Sequence, residues 1–171
     1  LNEATNTGYY WKKMMDPNYA FVGNTQNSAH FILYRYAEVL LGYAEARNES
    51  SGPDQSVYDA VNKVRARVDL PPLAPGLDRA AMREAILRER RVEFALEEKR
   101  WLDLVRLKLA EKKLNGPLHA VVIRQVNGKW EYSYVPAPGG LRAFHPEKNY
   151  FFPIPQAALD RNPLLEQNPN Y

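Results

Sequence analysis

The residues best placed to do chemistry are two acids one helical turn apart. Glu89 and Glu93 lie in RERRVEFALEEKRWLDLVR, residues 88–106, a stretch more than half charged that also carries Phe94, Trp101, leucines and valines. Two carboxyls with separated pKa values are the equipment of general acid–base catalysis, glycoside cleavage included. Their placement argues for another role. At about 100° per residue, Met82, Ala85, Ile86, Val92 and Leu96 cluster on one side of a helix, and Glu89 and Glu93 fall in the middle of that side. A carboxylate there must find a partner or neutralise. An earlier helix repeats the oddity, with Arg35, Glu38 and Glu45 sharing a stripe with the small residues Gly42 and Ala46. The pattern predicts a structural ionic network in which Glu89 and Glu93 meet arginines from neighbouring helices, Arg35 and Arg65 first. Arginine suits the role because its planar fork bonds carboxylates in pairs.

The same stretch makes a poor nucleic-acid arm. Acids alternate with bases, its apolar residues sit at core spacing, and no positive stripe emerges. The whole chain, with 23 basic and 20 acidic residues and net charge +3, is too balanced to imply a polyanion partner. Without cysteine it forms no disulfide, thiolate metal site or cysteine nucleophile. His30, His119 and His145 lack ligand spacing, no nucleophile elbow or phosphate-binding loop is present, and no metal or cofactor is expected.

Aromatic residues offer a different chemistry. A sugar ring presents a C–H face that stacks on Tyr or Trp and hydroxyls that need polar partners. Tyr9, Tyr10 and Trp11 form such a cluster in an irregular segment, where binding residues often sit. The competing reading, which the sequence favours, packs them onto the helices. Trp130, Tyr132 and Tyr134 alternate along a strand, and Trp101 sits in a helix among leucines. Core packing is expected for these, because an amphipathic hairpin needs a surface to cover.

The elements that must position these groups are mainly helical. Of 171 residues, 45% are hydrophobic and 25% charged, enough for a real core. Residues 1–30 read as irregular and 31–114 as helical. Residues 31–49 suggest a helix apolar almost all round, hence buried. Gly52 and Pro53 break it, and 54–69 form a second helix with Val57, Ala60, Val61, Val64 and Val68 on one stripe. Asp78 is a fitting N-cap for a long third helix reaching about Lys113, with a break near Glu98 to Arg100. Residues 115–136 form a hairpin around Asn127-Gly128, a type I′ turn. Its register opposes Gln125 to Trp130, Arg124 to Glu131, Ile123 to Tyr132 and Val121 to Tyr134. Residues 137–171 are a Pro-rich irregular tail with one helical turn near Gln156 to Leu159. Its Phe151, Phe152, Ile154 and Leu164 predict that it packs.

Four segments together resemble the C-terminal region of the SusD/RagB family: LYRYAEVLLGYAEARNE (33–49), VNKVRARVDLP (61–71), LRERRVEFALEEKRWLDLVR (87–106) and FFPIPQAALDRNPLLEQNPNY (151–171). They come in family order with fitting spacing. Asn170 stands where the family often has glycine, and Asn is the next best residue for a positive φ. The resemblance implies a fold of tetratricopeptide-like helix pairs. It implies non-catalytic glycan capture at the outer-membrane surface and delivery of oligosaccharide to a TonB-dependent, SusC-like transporter. The alternative is a helical-repeat scaffold that binds protein without sugar. The resemblance further implies that ligand contacts come mostly from segments upstream of this region. Membrane attachment would run only through a lipid anchor outside the chain. No run approaches the roughly 18 apolar residues of a membrane-spanning helix. The start at Leu1, without Met or a signal-peptide pattern, is expected to mark a fragment or processed chain lacking an N-terminal part.

Overall fold

A computed structural model describes residues 5–9, 12–14 and 31–171, and these fall into two compact units, Met14–Arg100 and Leu1–Lys13 with Trp101–Tyr171.

In the first unit, α1 (Tyr36–Ser51), α2 (Gln55–Ala66) and α3 (Arg79–Glu93) pack together, α1 touching both others. Local chemistry sets their ends. Gly52, at φ 85°, closes α1 and its N–H bonds the Asn48 carbonyl. The Asp54 carboxylate accepts from the Val57 N–H at 3.2 Å and starts α2. Asp78 does the same for α3 through the Ala81 N–H at 2.8 Å. The core between them is Leu41 and Ala44 of α1, Val57, Ala60, Val61 and Val64 of α2, Met82 and Ile86 of α3, and Phe94.

Several expectations change here. The first helix begins at Tyr36 rather than Phe31 and is buried only at Leu41, Ala44 and Asn48. Tyr36, Val39 and Tyr43 are exposed, because α2 and α3 cover one face and none of the described elements covers the other. The small residues Gly42 and Ala46, which would let a neighbouring helix approach closely, meet none among the described residues. A Cβ at Gly42 would meet nothing within 4 Å, and Ala46 is exposed. Val68 lies past the end of α2, and Val92 and Leu96 also face solvent. The long third helix is three pieces, α3, α4 (Lys99–Arg106) and α5 (Ala110–Lys113). The first break spans 94–98, where Leu96 (φ 65°) and Glu98 (φ 60°) are left-handed while Phe94 and Glu97 are buried. Burying those two side chains overrides the helix preference of the segment.

In the second unit, Leu104, Ala110 and Phe144 form a small core lined by Trp101, Leu109, Leu114 and Tyr150. Trp101 lies 6.3 Å from the Phe144 ring and 5.8 Å from Phe152. β1 (Gly116–Val126) and β2 (Lys129–Arg142) form one antiparallel hairpin. All four anticipated pairs are present, and Asn127 (φ 50°) and Gly128 (φ 76°) make the turn. The hairpin runs beyond residue 136, because pairing resumes at Pro117↔Leu141 and Gly116↔Arg142 after an irregularity.

The tail carries α6 (Pro146–Asn149) and α7 (Gln156–Arg161). The apolar residues that suggested packing hold it only in part, since Phe151, Phe152 and Leu164 are exposed, while Ile154 is half-buried and the Phe152 ring lies 5.8 Å from Trp101. Side chains that bond backbone hold the rest. Gln167 accepts from the Ile154 N–H at 2.8 Å and donates to its carbonyl at 3.0 Å. Asn168 donates to the Phe152 carbonyl, the Tyr171 hydroxyl to that of Phe151 and the Asn170 amide to that of Glu147, at 2.7–2.9 Å. Asn170 sits at φ 67°, the conformation for which glycine or asparagine is suited. The fold is thus mainly helical, with a helix pair, one antiparallel hairpin and an irregular Pro-rich tail.

Candidate functional site

The densest polar site lies along α3, within the first unit. Glu89, Glu93 and Glu97 are all buried and follow one another every fourth residue. Arg65 of α2 bonds Glu89 at 2.7 Å and uses its Nε for the Pro71 carbonyl. Arg35, just before α1, reaches Glu93 and the Glu93 carbonyl, and grips Glu97 through two nitrogens at 2.7 and 2.9 Å. Arg67 closes on both oxygens of Glu93 at 2.8 Å. The Arg35 guanidinium also lies 4.9 Å from the Phe94 ring. Burial works against its charge, yet the bonds from Glu97 and Glu93 outweigh that, and its pKa is raised.

Glu38 and Glu45 join this face from α1, with other cations. Glu38 pairs with Lys99 at 3.1 Å and Glu45 lies 4.0 Å from Arg90. Reasoning from sequence missed Glu97, Arg67, Lys99 and Arg90. Glu97 carried a signal, being one further turn along the row of Glu89 and Glu93. What the arrangement does chemically is clamp three chain segments together. Glu89, Glu93 and Glu97 are each engaged by at least one guanidinium group.

A smaller cluster closes the α1–α2 connection. Asp54 is held down to about 2 by the Ser56 hydroxyl, the Arg47 guanidinium and the Val57 N–H. Glu49 is lowered as well, chiefly by its bond to Arg83.

The aromatic candidates fare differently. Tyr10 and Trp11 lie outside the described residues, and Tyr9 is exposed. Its backbone is fixed by Thr5 and Thr7, since the Thr5 hydroxyl donates to the Tyr9 carbonyl at 2.9 Å. The Val121 N–H donates to the Thr7 carbonyl at 2.9 Å, which lays this segment on β1. Trp130, Tyr132 and Tyr134 do not pack as a core row. They are 61%, 61% and 71% exposed, because nothing among the described residues covers the outer hairpin. Trp101 does line the small core. His30 is outside the described residues, whereas His119 and His145 are exposed. Among the described residues no group of three or more His, Cys, Asp or Glu could hold a metal ion, and no helix is long and apolar enough to cross a membrane.

A clamped helix pair followed by a hairpin and a pinned Pro-rich tail defines a SusD-like class of fold. The model of the SusD family matches residues 1–171, and the chain belongs to that family. It is 35% identical over 154 residues to the SusD-like protein P2 of Formosa agariphila, a match covering 85% of this chain and 27% of that protein. It is 28% identical to a SusD-like protein of Bacteroides ovatus, covering 90% of this chain and 32% of that one. Among solved structures, a SusD-like protein from Bacteroides fragilis superposes with a TM-score of 0.80 at 34% identity, over 98% of this chain and 31% of that one. A SusD homolog from Bacteroides thetaiotaomicron gives 0.63 at 32% identity, over 90% and 29%. The chain thus spans about a third or less of the length of each of these relatives.

Proposed function

We propose that this chain belongs to the capture machinery for glycan nutrients at the outer-membrane surface. It contributes to holding an oligosaccharide and passing it to a TonB-dependent, SusC-like transporter, without catalysis. Attachment is through a lipid anchor carried by the full-length protein. The observation that carries this reading is the match to the SusD family along all 171 residues. The engagement of Glu89, Glu93 and Glu97 by arginines supports the non-catalytic part, since a general acid must be able to exchange its proton with substrate. The exposed Tyr9, with its sequence neighbours Tyr10 and Trp11, is the sugar-stacking candidate that sequence alone suggests.

The second reading, a scaffold that binds protein and no sugar, draws on one observation, the exposed stripe of Tyr36, Val39 and Tyr43 on α1. Titration of the full chain with plant, host and microbial oligosaccharides separates the two, with transporter pull-down and reducing-sugar release measured alongside. Glycan binding without sugar release supports capture. Pull-down without glycan binding supports the scaffold, and sugar release would overturn both. Loss of glycan binding in Trp11→Ala would place part of the site in the Tyr9–Trp11 cluster.

A further inference from the structure

The outer half of the hairpin has two chemically different faces. Cross-strand partners share a face, so Val121/Tyr134, Ile123/Tyr132 and Gln125/Trp130 point one way. Val122/Ser133, Arg124/Glu131 and Val126/Lys129 point the other. Every charged side chain between residues 121 and 134 is therefore on the second face. The first carries none, and presents three exposed aromatic residues, the exposed Ile123 and the Gln125 amide. The Asn127-Gly128 turn fixes the register, so these rings stand on a braced surface.

Alternate residues of a strand stand about 6.7 Å apart on one face, so Trp130, Tyr132 and Tyr134 form a row about 13 Å long. A row of that length exceeds one sugar ring. Tyr and Trp each combine a flat apolar body with a polar tip. Uncharged rings, phenolic hydroxyls and one amide complement a neutral glycan, whose C–H faces alternate with hydroxyls. They offer nothing to neutralise a phosphate or a uronate. The row is also continuous with the candidate cluster of the chain start. Thr7 bonds Val121, and a Cβ at Gly8 would come within 3.3 Å of the Val121 side chain. The segment carrying the exposed Tyr9 therefore abuts the inner end of the row.

We propose that the uncharged hairpin face, Trp130, Tyr132 and Tyr134 with Gln125, is a stacking platform for a neutral oligosaccharide. The proposal rests on the glycan-capture reading and assigns it a site that the sequence alone had read as core.

The test compares the full chain with Trp130→Ala, with Tyr132→Ala/Tyr134→Ala, and with Arg124→Ala/Glu131→Ala on the opposite face. Each is titrated with neutral and acidic oligosaccharides by calorimetry. Every substituted side chain is exposed, and circular dichroism checks that each variant folds. The expected result is neutral-glycan binding that weakens about tenfold per lost platform, as for other aromatic pairings. Trp130→Phe should restore most of the Trp130 loss, and the opposite-face variant should bind like the parent. Parent binding that survives both aromatic variants overturns this site and leaves glycan capture standing. No binding by the parent to any glycan overturns the site, and the same titration of the full-length protein then decides whether capture stands. Loss of transporter pull-down or self-association in the aromatic variants, with glycan affinity intact, assigns the face to a protein partner and overturns the proposal.

Discussion

Replacing Arg35 by methionine tests the buried clamp most directly. Methionine keeps much of the apolar stem and removes the guanidinium. Glu97 then loses both bonds Arg35 gives it, in a place where its side chain is 1% exposed. Glu93 loses one partner yet keeps the two bonds from Arg67. Breaking one partner of a buried pair costs about 3–5 kcal/mol. The surviving Arg67 bonds hold the figure near the lower end, and the lost contact with the Phe94 ring adds about 0.5–1 kcal/mol. The expected loss is therefore about 3–4 kcal/mol. Arg67→Ala is the internal comparison. Its side chain is 58% exposed and Glu93 retains Arg35, so the loss should stay below about 1 kcal/mol. Urea unfolding followed by far-ultraviolet circular dichroism measures both. The double variant Arg35→Met/Glu97→Gln should lose less than the sum of its parts, because it also removes the buried charge. An Arg35→Met protein within about 0.5 kcal/mol of the parent, or an Arg67→Ala protein equally destabilised, would refute the reasoning that burial sets the worth of each arm.

Three further outcomes follow from other sites. Asp54 titrates at about 2 rather than 3.8. Its contribution to stability is therefore complete above about 3.8 and is lost as pH falls through about 2. The gap between parent and Asp54→Asn should close over that interval, and a carboxyl resonance with an ordinary midpoint would contradict the Ser56 and Arg47 bonding. A Cβ at Gly8 would meet the Val121 carbonyl oxygen at 2.4 Å, at a φ of +72°. Gly8→Ala should undock this segment and speed hydrogen exchange at the Val121 amide, and unchanged exchange would count against the docked geometry. Met82 is wholly buried, so Met82→Ala should cost about 2–5 kcal/mol in a urea titration.

What was legible in the sequence was local or periodic. Asn127-Gly128 fixes a hairpin register without help from anything distant, and all four pairs follow from it. Asp54 and Asp78 mark helix starts because the capping bond closes within three residues. Glu89 and Glu93 show themselves by standing on an apolar stripe, and both are buried. What was not legible depended on what lies opposite. Periodicity says that a face is apolar, not that another element covers it. Hence α1 and the hairpin aromatics seemed core and are exposed. The tail misled in the reverse sense, since its anchors are the polar Gln167, Asn168 and Asn170 bonding backbone, which leave no hydrophobic period to read.

The break between α3 and α4 has a kinetic meaning. Residues 94–98 hold two left-handed non-glycine residues, each unfavourable by about 1–2 kcal/mol, within a run whose own preference is helical. No cap or glycine commands the interruption. Its restraints are Phe94 in the core and Glu97 on Arg35, a partner 62 residues earlier in the chain. A synthetic peptide of residues 79–106 lacks both restraints and should run as one uninterrupted helix where it is helical at all. In the folding chain the kink must then be a late event. It waits for the segment bearing Arg35 to arrive, a contact that closes a long loop.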